Sequence, residues 1–188
     1  MYHNARQPKF MKKVLLPFIT VGWVVLAPTS FAALEDFRVS LDAAQDGGAG
    51  RQGSGFGTVT LDTVANTITL NNITYSGLST NSTLAHFHGP AAAGANASVL
   101  YDLAGFTTLG GTSGTFSGTF SLTAGTGGFS IAQQVSQLEG GLWYLNVHSA
   151  TFGGGEIRGQ VLPIPEPSTL GFLGLGVGAL AWRLCKRN

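Results

Sequence analysis

Three histidines are the residues of this sequence whose type and spacing point most directly to chemistry. His86 and His88 lie two residues apart in a predicted β-strand, so both rings point to one face of it. His148 ends a later predicted strand. Side chains about 7 Å apart along one strand can converge on one ion. A third imidazole from a neighbouring strand would complete a site suited to copper or zinc.

The same histidines have a second interpretation that needs no ion. In a structural polar network they would hydrogen-bond the backbone of the turn over residues 89–97. Catalysis is disfavoured, because no Ser, Cys or Asp lies in a recognisable nucleophile arrangement. Three polar residues are candidates for supporting the histidines, and one of them, the glutamate, could instead pair with the arginine: Asn146, Glu156 and Arg158.

The alternation of apolar residues indicates where these rings point. Trp143, Leu145 and Val147 share one strand face, which is typical of a face packed on a core. Tyr144 and His148 share the opposite face. We therefore expect all three histidines to lie outside the core, on the outer surface or in a groove beneath a loop.

Short strands dominate the middle of the chain. Seven or eight of them, separated by glycine-rich turns, predict an all-β fold, an antiparallel sandwich or barrel. Residues 58–62 and 67–73 are predicted to form a hairpin, with a loop over residues 45–57 before it. One short helix is expected, because Ile131, Val135 and Leu138 recur at helical spacing.

Charge is segregated along the 188 residues. Residues 1–32 carry +4, residues 33–162 carry −5 and residues 163–188 carry +2, although the formal net charge is only +1. Every lysine lies outside the middle segment. An acidic segment without lysine excludes a nucleic-acid binder, which needs a basic face to meet phosphates. The single cysteine, Cys185, also lies outside it, so the middle segment has no disulfide.

The N-terminal segment has the pattern of a secretory signal. Met11 begins a basic stretch that is followed by an apolar run over residues 14–27, so Met11 is an alternative start. Small residues at Ser30 and Ala32 predict cleavage after Ala32. Residues 1–32 are thus predicted to be a signal peptide, with an N-terminal membrane anchor as the alternative.

The C-terminal segment, residues 163–188, has three parts. Pro165, Glu166 and Pro167 precede an apolar run over residues 168–182 and a basic cluster. This order resembles the PEP-CTERM sorting signal of Gram-negative bacteria. The resemblance implies export, transient inner-membrane anchoring by a short transmembrane helix, cleavage by an exosortase-type protease, and a final place at the cell surface or outside the cell. A permanent single-span anchor is the alternative.

The histidine-containing motifs resemble those of the CHRD domain. His-Phe-His-Gly-Pro-Ala at 86–91 and Gly-Glu-Ile-Arg-Gly-Gln at 155–160 carry the resemblance, which covers residues 33–162. It implies an extracellular β-domain. With the sorting signal, which is associated with exopolysaccharide, it favours a non-enzymatic binding or structural module of the cell surface or extracellular matrix. Extracellular polysaccharide or surface proteins are the expected partners; a mononuclear copper or zinc protein is the alternative function.

A second resemblance concerns the copper/zinc superoxide dismutase fold, a Greek-key barrel with a His-x-His strand. It implies copper-type positions for His86, His88 and His148. The sequence departs from that fold, because no further histidine remains in the middle segment to bridge to zinc and the disulfide is absent. Dismutase activity is therefore not expected.

If both ends are processed, the exported protein will lack residues 1–32 and most or all of residues 163–188. Intact-mass measurement of the protein recovered from the cell surface tests this. A mass that still includes the C-terminal apolar run would show a permanent anchor instead.

Overall fold

A computed structural model describes residues 34–165. The predicted signal peptide, its cleavage site at Ala32, the C-terminal transmembrane helix and the motif residues Glu166 and Pro167 lie outside this range; Pro165 is the last residue in it. The search for a helix long and apolar enough to cross a membrane found none between residues 34 and 165. The elements, in chain order, are β1 (Leu34–Asp42), β2 (Ser54–Asp62), β3 (Thr67–Ser76), β4 (Ser82–His88), β5 (Val99–Asp102), a 3₁₀ turn (Ala104–Phe106), β6 (Gly114–Ser121), a second 3₁₀ turn (Thr126–Gly128), α1 (Ile131–Glu139), β7 (Tyr144–Ser149) and β8 (Ile157–Pro163).

The eight strands form one sheet in the order β5-β4-β7-β8-β1-β2-β3-β6. Every neighbouring pair is antiparallel. The expected antiparallel β-fold is confirmed, in the form of a half-barrel with one helix. In the pairing of β1 with β8, Phe37 lies opposite Pro163 and Asp42 lies opposite Arg158.

The core lies on the side of the sheet to which the alternating apolar residues point. Burying apolar surface there is the main stabilising contribution, about 25 cal/mol per Å². Trp143, predicted to face the core, is fully buried. Its indole N–H donates to Gln137 Oε1 of α1 at 3.3 Å. The largest fully buried side chains are Trp143, Phe37, Phe87, Phe116, Leu41, Leu61, Ile68, Leu70, Ile73, Leu103, Leu138 and Leu145.

The helix α1 appears where the apolar spacing predicts it. Ser130 caps its N-terminus in a capping box with Gln133, which satisfies backbone N–H groups that a first turn leaves unpaired. Gln134 is fully buried, and its side-chain NH₂ donates to the carbonyls of Thr123 and Phe129. Its Oε1 accepts from the Tyr101 hydroxyl at 2.5 Å. The helix is thereby tied to β5.

The hairpin of β2 and β3 is longer than predicted. β2 begins at Ser54, which pairs with Ser76, so the predicted loop over residues 45–57 is shortened to residues 43–53. The glycines at 55 and 57 obscured the strand, because they interrupt its pattern of side chains. The structure uses them where the backbone of β3 comes close: a Cβ on Gly57 would lie 2.5 Å from the Cα of Ile73.

Gly159 of β8 lies where the backbone of β1 comes closest, and an added Cβ would overlap the carbonyl of Ser40. We expect Gly159→Ala to lower the free energy of unfolding by about 1–3 kcal/mol, because the strands must move apart. Gly105→Ala is the matched control, since nothing lies within 4 Å of a Cβ there. Thermal unfolding of the two variants tests this; equal midpoints would contradict the close approach.

Candidate metal centre

Two neighbouring strands bring the three histidines together. In the pairing of β4 with β7, His86 lies opposite Asn146, His88 opposite Tyr144, and His148 opposite Leu84. Alternation along each strand puts the three rings on the side away from the core. The residues between them are fully or almost fully buried on the core side: Ala85, Phe87, Leu145 and Val147.

The rings converge. Their candidate ligand nitrogens all lie within 4.8 Å of one another. His86 Nδ1 and His148 Nε2 are 3.1 Å apart, and the ring centroids of His86 and His88 are 5.5 Å apart. Nitrogens bound to one ion at about 2.0–2.1 Å lie about 3–3.5 Å from each other. Small rotations of the side chains would therefore bring all three to a shared ion.

Two loops cover the histidines. In loop 89–98, the Ala97 carbonyl lies 3.0 Å from His88 Nδ1; in loop 150–156, the Gly153 carbonyl lies 3.0 Å from His148 Nδ1. A carbonyl only accepts, so each Nδ1 carries the proton and each Nε2 carries a lone pair. A structural network would make these bonds, and so would metal ligands, whose second nitrogen is usually held this way. The bonds alone do not separate the two interpretations.

One atom favours the metal interpretation. His88 Nε2 is buried and has no hydrogen-bond partner among the described residues. Leaving a buried polar atom unpaired costs about 1–3 kcal/mol. A network that existed only for structure would be expected to satisfy this nitrogen, whereas an ion would use its lone pair.

Burial also fixes the charge state of two histidines. It lowers the pKa of His148 to about 4, although the Gly153 carbonyl acts in the opposite direction. Burial likewise lowers the pKa of His88, against the Ala97 carbonyl. Both rings are therefore neutral near pH 7, which is the form that binds metal.

Arg158 supports the site through Tyr144. The Tyr144 ring stacks on His88 with centroids 4.9 Å apart and planes 3° apart. The Arg158 guanidinium lies 4.4 Å from the centroid of that same ring. Arg158 also donates to Asn96 Oδ1 at 2.9 Å and to the Ala95 carbonyl at 3.0 Å. It thus holds both Tyr144 and loop 89–98 beside His88.

Glu156 makes its hydrogen bonds elsewhere than expected. It was predicted to accept from a histidine or to pair with Arg158; instead its Oε1 accepts from the backbone N–H groups of Ser79 at 2.6 Å and Gln52 at 3.3 Å. Burial opposes its ionisation, but contacts with Ser149, Ser79 and Gln52 outweigh burial and hold its pKa below the ordinary value. Its role in the structure is to join two loops.

Asn146 lies beside the cluster but bonds the covering loop. Its side-chain NH₂ donates to the Gly154 carbonyl at 3.4 Å, and its Oδ1 is buried without a partner among the described residues. The Ala97 carbonyl belongs to the turn over residues 89–97, whose backbone the structural-network interpretation expects the histidines to bond. The Gly153 carbonyl had no signal in the sequence, because any residue supplies a carbonyl. Tyr144 had one, since it shares the strand face of His148.

The lowered pKa values predict a loss of stability in acid for the metal-free chain. As the pH falls from 6.5 towards about 4, the unfolded chain protonates His148 while the folded chain does not. Stability is therefore full above pH 6.5 and falls through this window. Thermal unfolding across the window, with a chelator present, should show a flatter profile for His148→Gln; an identical profile would contradict the burial argument.

Comparison with known families follows the same division of the chain. A model of the PEP-CTERM protein-sorting motif matches residues 163–187, which makes the chain an exported surface protein recognised by an exosortase. Neither the curated proteins nor the solved structures contain a match. The CHRD domain model matches residues 37–161, including every histidine of the cluster. Both family resemblances are confirmed, and the chain belongs to the CHRD domain family.

Proposed function

We propose that this chain is a non-enzymatic module, exported to the cell surface, that binds one copper or zinc ion through His86, His88 and His148. The observation that carries the proposal is the buried Nε2 of His88, which has no partner in the described part of the chain and lies beside two other imidazoles. Three imidazoles without a carboxylate form a donor set suited to either metal.

Each histidine has a distinct part in the proposed site. His88 and His148 are buried and held at Nδ1 by loop carbonyls, so they would offer Nε2 in a fixed direction. His86 is half-buried, and without an ion its ring can hydrogen-bond His148. Because His86 is the most exposed of the three, we propose that the ion enters the site beside His86.

The surroundings of the proposed ion site support a role in binding rather than in catalysis. The cluster lies beneath two loops, and residues 34–165 hold no further histidine to bridge to a second metal. An ion bound only by the folded state would stabilise a domain that has no disulfide. We propose that ion binding at the surface is itself the function, and that the dismutase resemblance extends to the histidines alone.

We further propose that export passes through a transient membrane-anchored stage. Cleavage after Ala32 and near Pro165 would release an acidic domain. The charge of −5 over residues 33–162 keeps such a domain soluble outside the cell. Polysaccharide or other surface proteins are its proposed partners there.

Metal uptake by the full chain tests the ion site. After chelation, the chain should take up one copper or zinc ion, measured by elemental analysis after gel filtration. His86→Ala removes one of three ligands and should weaken binding by about 100-fold or more, since even outer partners of a metal contribute about 10–100-fold.

His3→Ala is the matched control, because it removes a histidine that lies outside the CHRD match. It should bind the ion as the parent does. Failure of the parent chain to retain any ion, or equal retention by both variants, would leave the structural polar network as the role of the three histidines.

A further inference from the structure

A polar cleft of about 480 Å³ lies beside the histidine cluster. It opens between loop 43–53, loop 89–98 and the strands β7 and β8, and His88 forms part of its wall. Its volume falls in the range of about 300–1,000 Å³ that is usual for small-molecule sites. Its main polar lining residues are Asp46, Arg51, Asn96, Asn146 and Arg158.

Two buried oxygens in this cleft are poorly supplied with hydrogen-bond donors. Asn146 Oδ1 has no partner among the described residues, and Asp46 Oδ2 has only the long ion pair with Arg51 Nε at 3.4 Å; the Asp46 and Asn146 side chains are 8% and 3% exposed. Both oxygens flank Gly155, where an added Cβ would overlap with each of them. The two oxygens therefore lie close to the same point in the cleft. A ligand that carries two or more hydroxyl groups would supply the missing donors.

The cleft also gathers positive charge in an acidic domain. Residues 33–162 contain three arginines, and two of them, Arg51 and Arg158, line the cleft. Arg51 Nε lies 3.4 Å from Asp46 Oδ2 and donates to the Gly155 carbonyl at 3.0 Å. A guanidinium has five N–H donors, so these contacts use only part of its capacity. The position of Arg51 beside Asp46 disfavours a bound cation.

We propose that the polar cleft binds a sugar acid, that is, a polyhydroxy compound with one carboxylate. The carboxylate would pair with Arg51 and Arg158, because guanidinium groups match carboxylate geometry. The hydroxyl groups would donate to Asp46 and Asn146. A simple inorganic anion offers no such donors, and a neutral sugar adds no negative charge to a cleft lined by two arginines and one carboxylate.

The ionisation of Asp46 supports the geometry. Burial raises the pKa of its carboxyl, although the charges of Arg51 and Arg158 act to lower it. A buried carboxyl group behaves in this way when its contacts with positive charge do not outweigh the loss of water. Donors from a bound ligand would satisfy it.

Calorimetric titration of the full chain tests the proposal, in a detergent without a sugar headgroup. The probes are glucuronate, glucose and sulfate. Glucuronate should bind at least 10-fold more tightly than either of the other two. Equal binding of glucose would remove the role of the arginines, equal binding of sulfate would show a plain anion site, and absence of glucuronate binding would overturn the proposal.

Variants locate the binding. Arg51→Gln should weaken glucuronate binding by about 10-fold or more, as expected for a lost charge-assisted pair. Arg51→Lys keeps the charge and should recover most of it, which separates charge from misfolding. Arg38→Gln is the matched control, since Arg38 is exposed on β1 and outside the cleft lining. Equal affinities of Arg51→Gln and Arg38→Gln would overturn the assignment.

Two further comparisons separate related questions. Binding of free glucuronate indicates a soluble ligand, and much tighter binding of polygalacturonate indicates a polysaccharide source; both support the sugar-acid chemistry. His86 lies outside the cleft lining, so His86→Ala should lose the ion and keep glucuronate binding. A parent chain that binds glucuronate but takes up no metal would therefore count against the proposed ion site and leave the sugar-acid site standing.

Discussion

The direct pairing of β4 with β7 is the constraint on which the rest of the site depends. A slip of one residue in a strand turns every side chain to the opposite face. Ala85 and Phe87 on one strand, with Leu145 and Val147 on the other, are buried to 1% exposure or less and so specify the register. The apolar contacts of the core therefore determine where the histidine rings lie on the far side of the sheet.

The loops then change the environment of that far side. Loops 89–98 and 150–156 cover a sheet face that would otherwise be exposed to water. The polar side chains on that face are therefore buried beneath the loops. Burial removes charge from His88 and His148 and leaves polar atoms that need partners. Gln160 shows a case where the partners are present, because its NH₂ donates to the carbonyls of Ala91 and Gly141 at 2.8 and 2.7 Å. By contrast, within residues 34–165 His88 Nε2 and Asn146 Oδ1 are buried without a partner, and Asp46 Oδ2 has only its ion pair with Arg51.

Periodicity was sufficient to predict most of the local elements and the sheet face on which the histidine rings lie, but not the pairing of β4 with β7. Which face of an element is buried can be read from residues that are close in sequence. The alternation around Trp143 indicates it for a strand, and the spacing of Ile131, Val135 and Leu138 indicates it for the helix. The paths of the loops are not local, so the burial of Glu156 and Arg158 could not be predicted. Each is held by loop residues that are distant in sequence. The closeness of Arg51 and Arg158 could not be predicted for the same reason, because they are far apart in the chain. The net charge of the segment does not show where its charges lie in space.

The antiparallel pairing of β1 with β8 also determines where the chain enters and leaves the domain. Its first and last strands are neighbours, with Phe37 opposite Pro163, so the chain enters and leaves the domain on the same side. Arg158 lies five residues earlier on β8, about 16 Å from that exit at about 3.3 Å per residue. The polar cleft, which Arg158 lines, and the exit of the chain at Pro163 therefore lie at opposite ends of β8, so a ligand can reach the cleft from the end of the strand away from that exit.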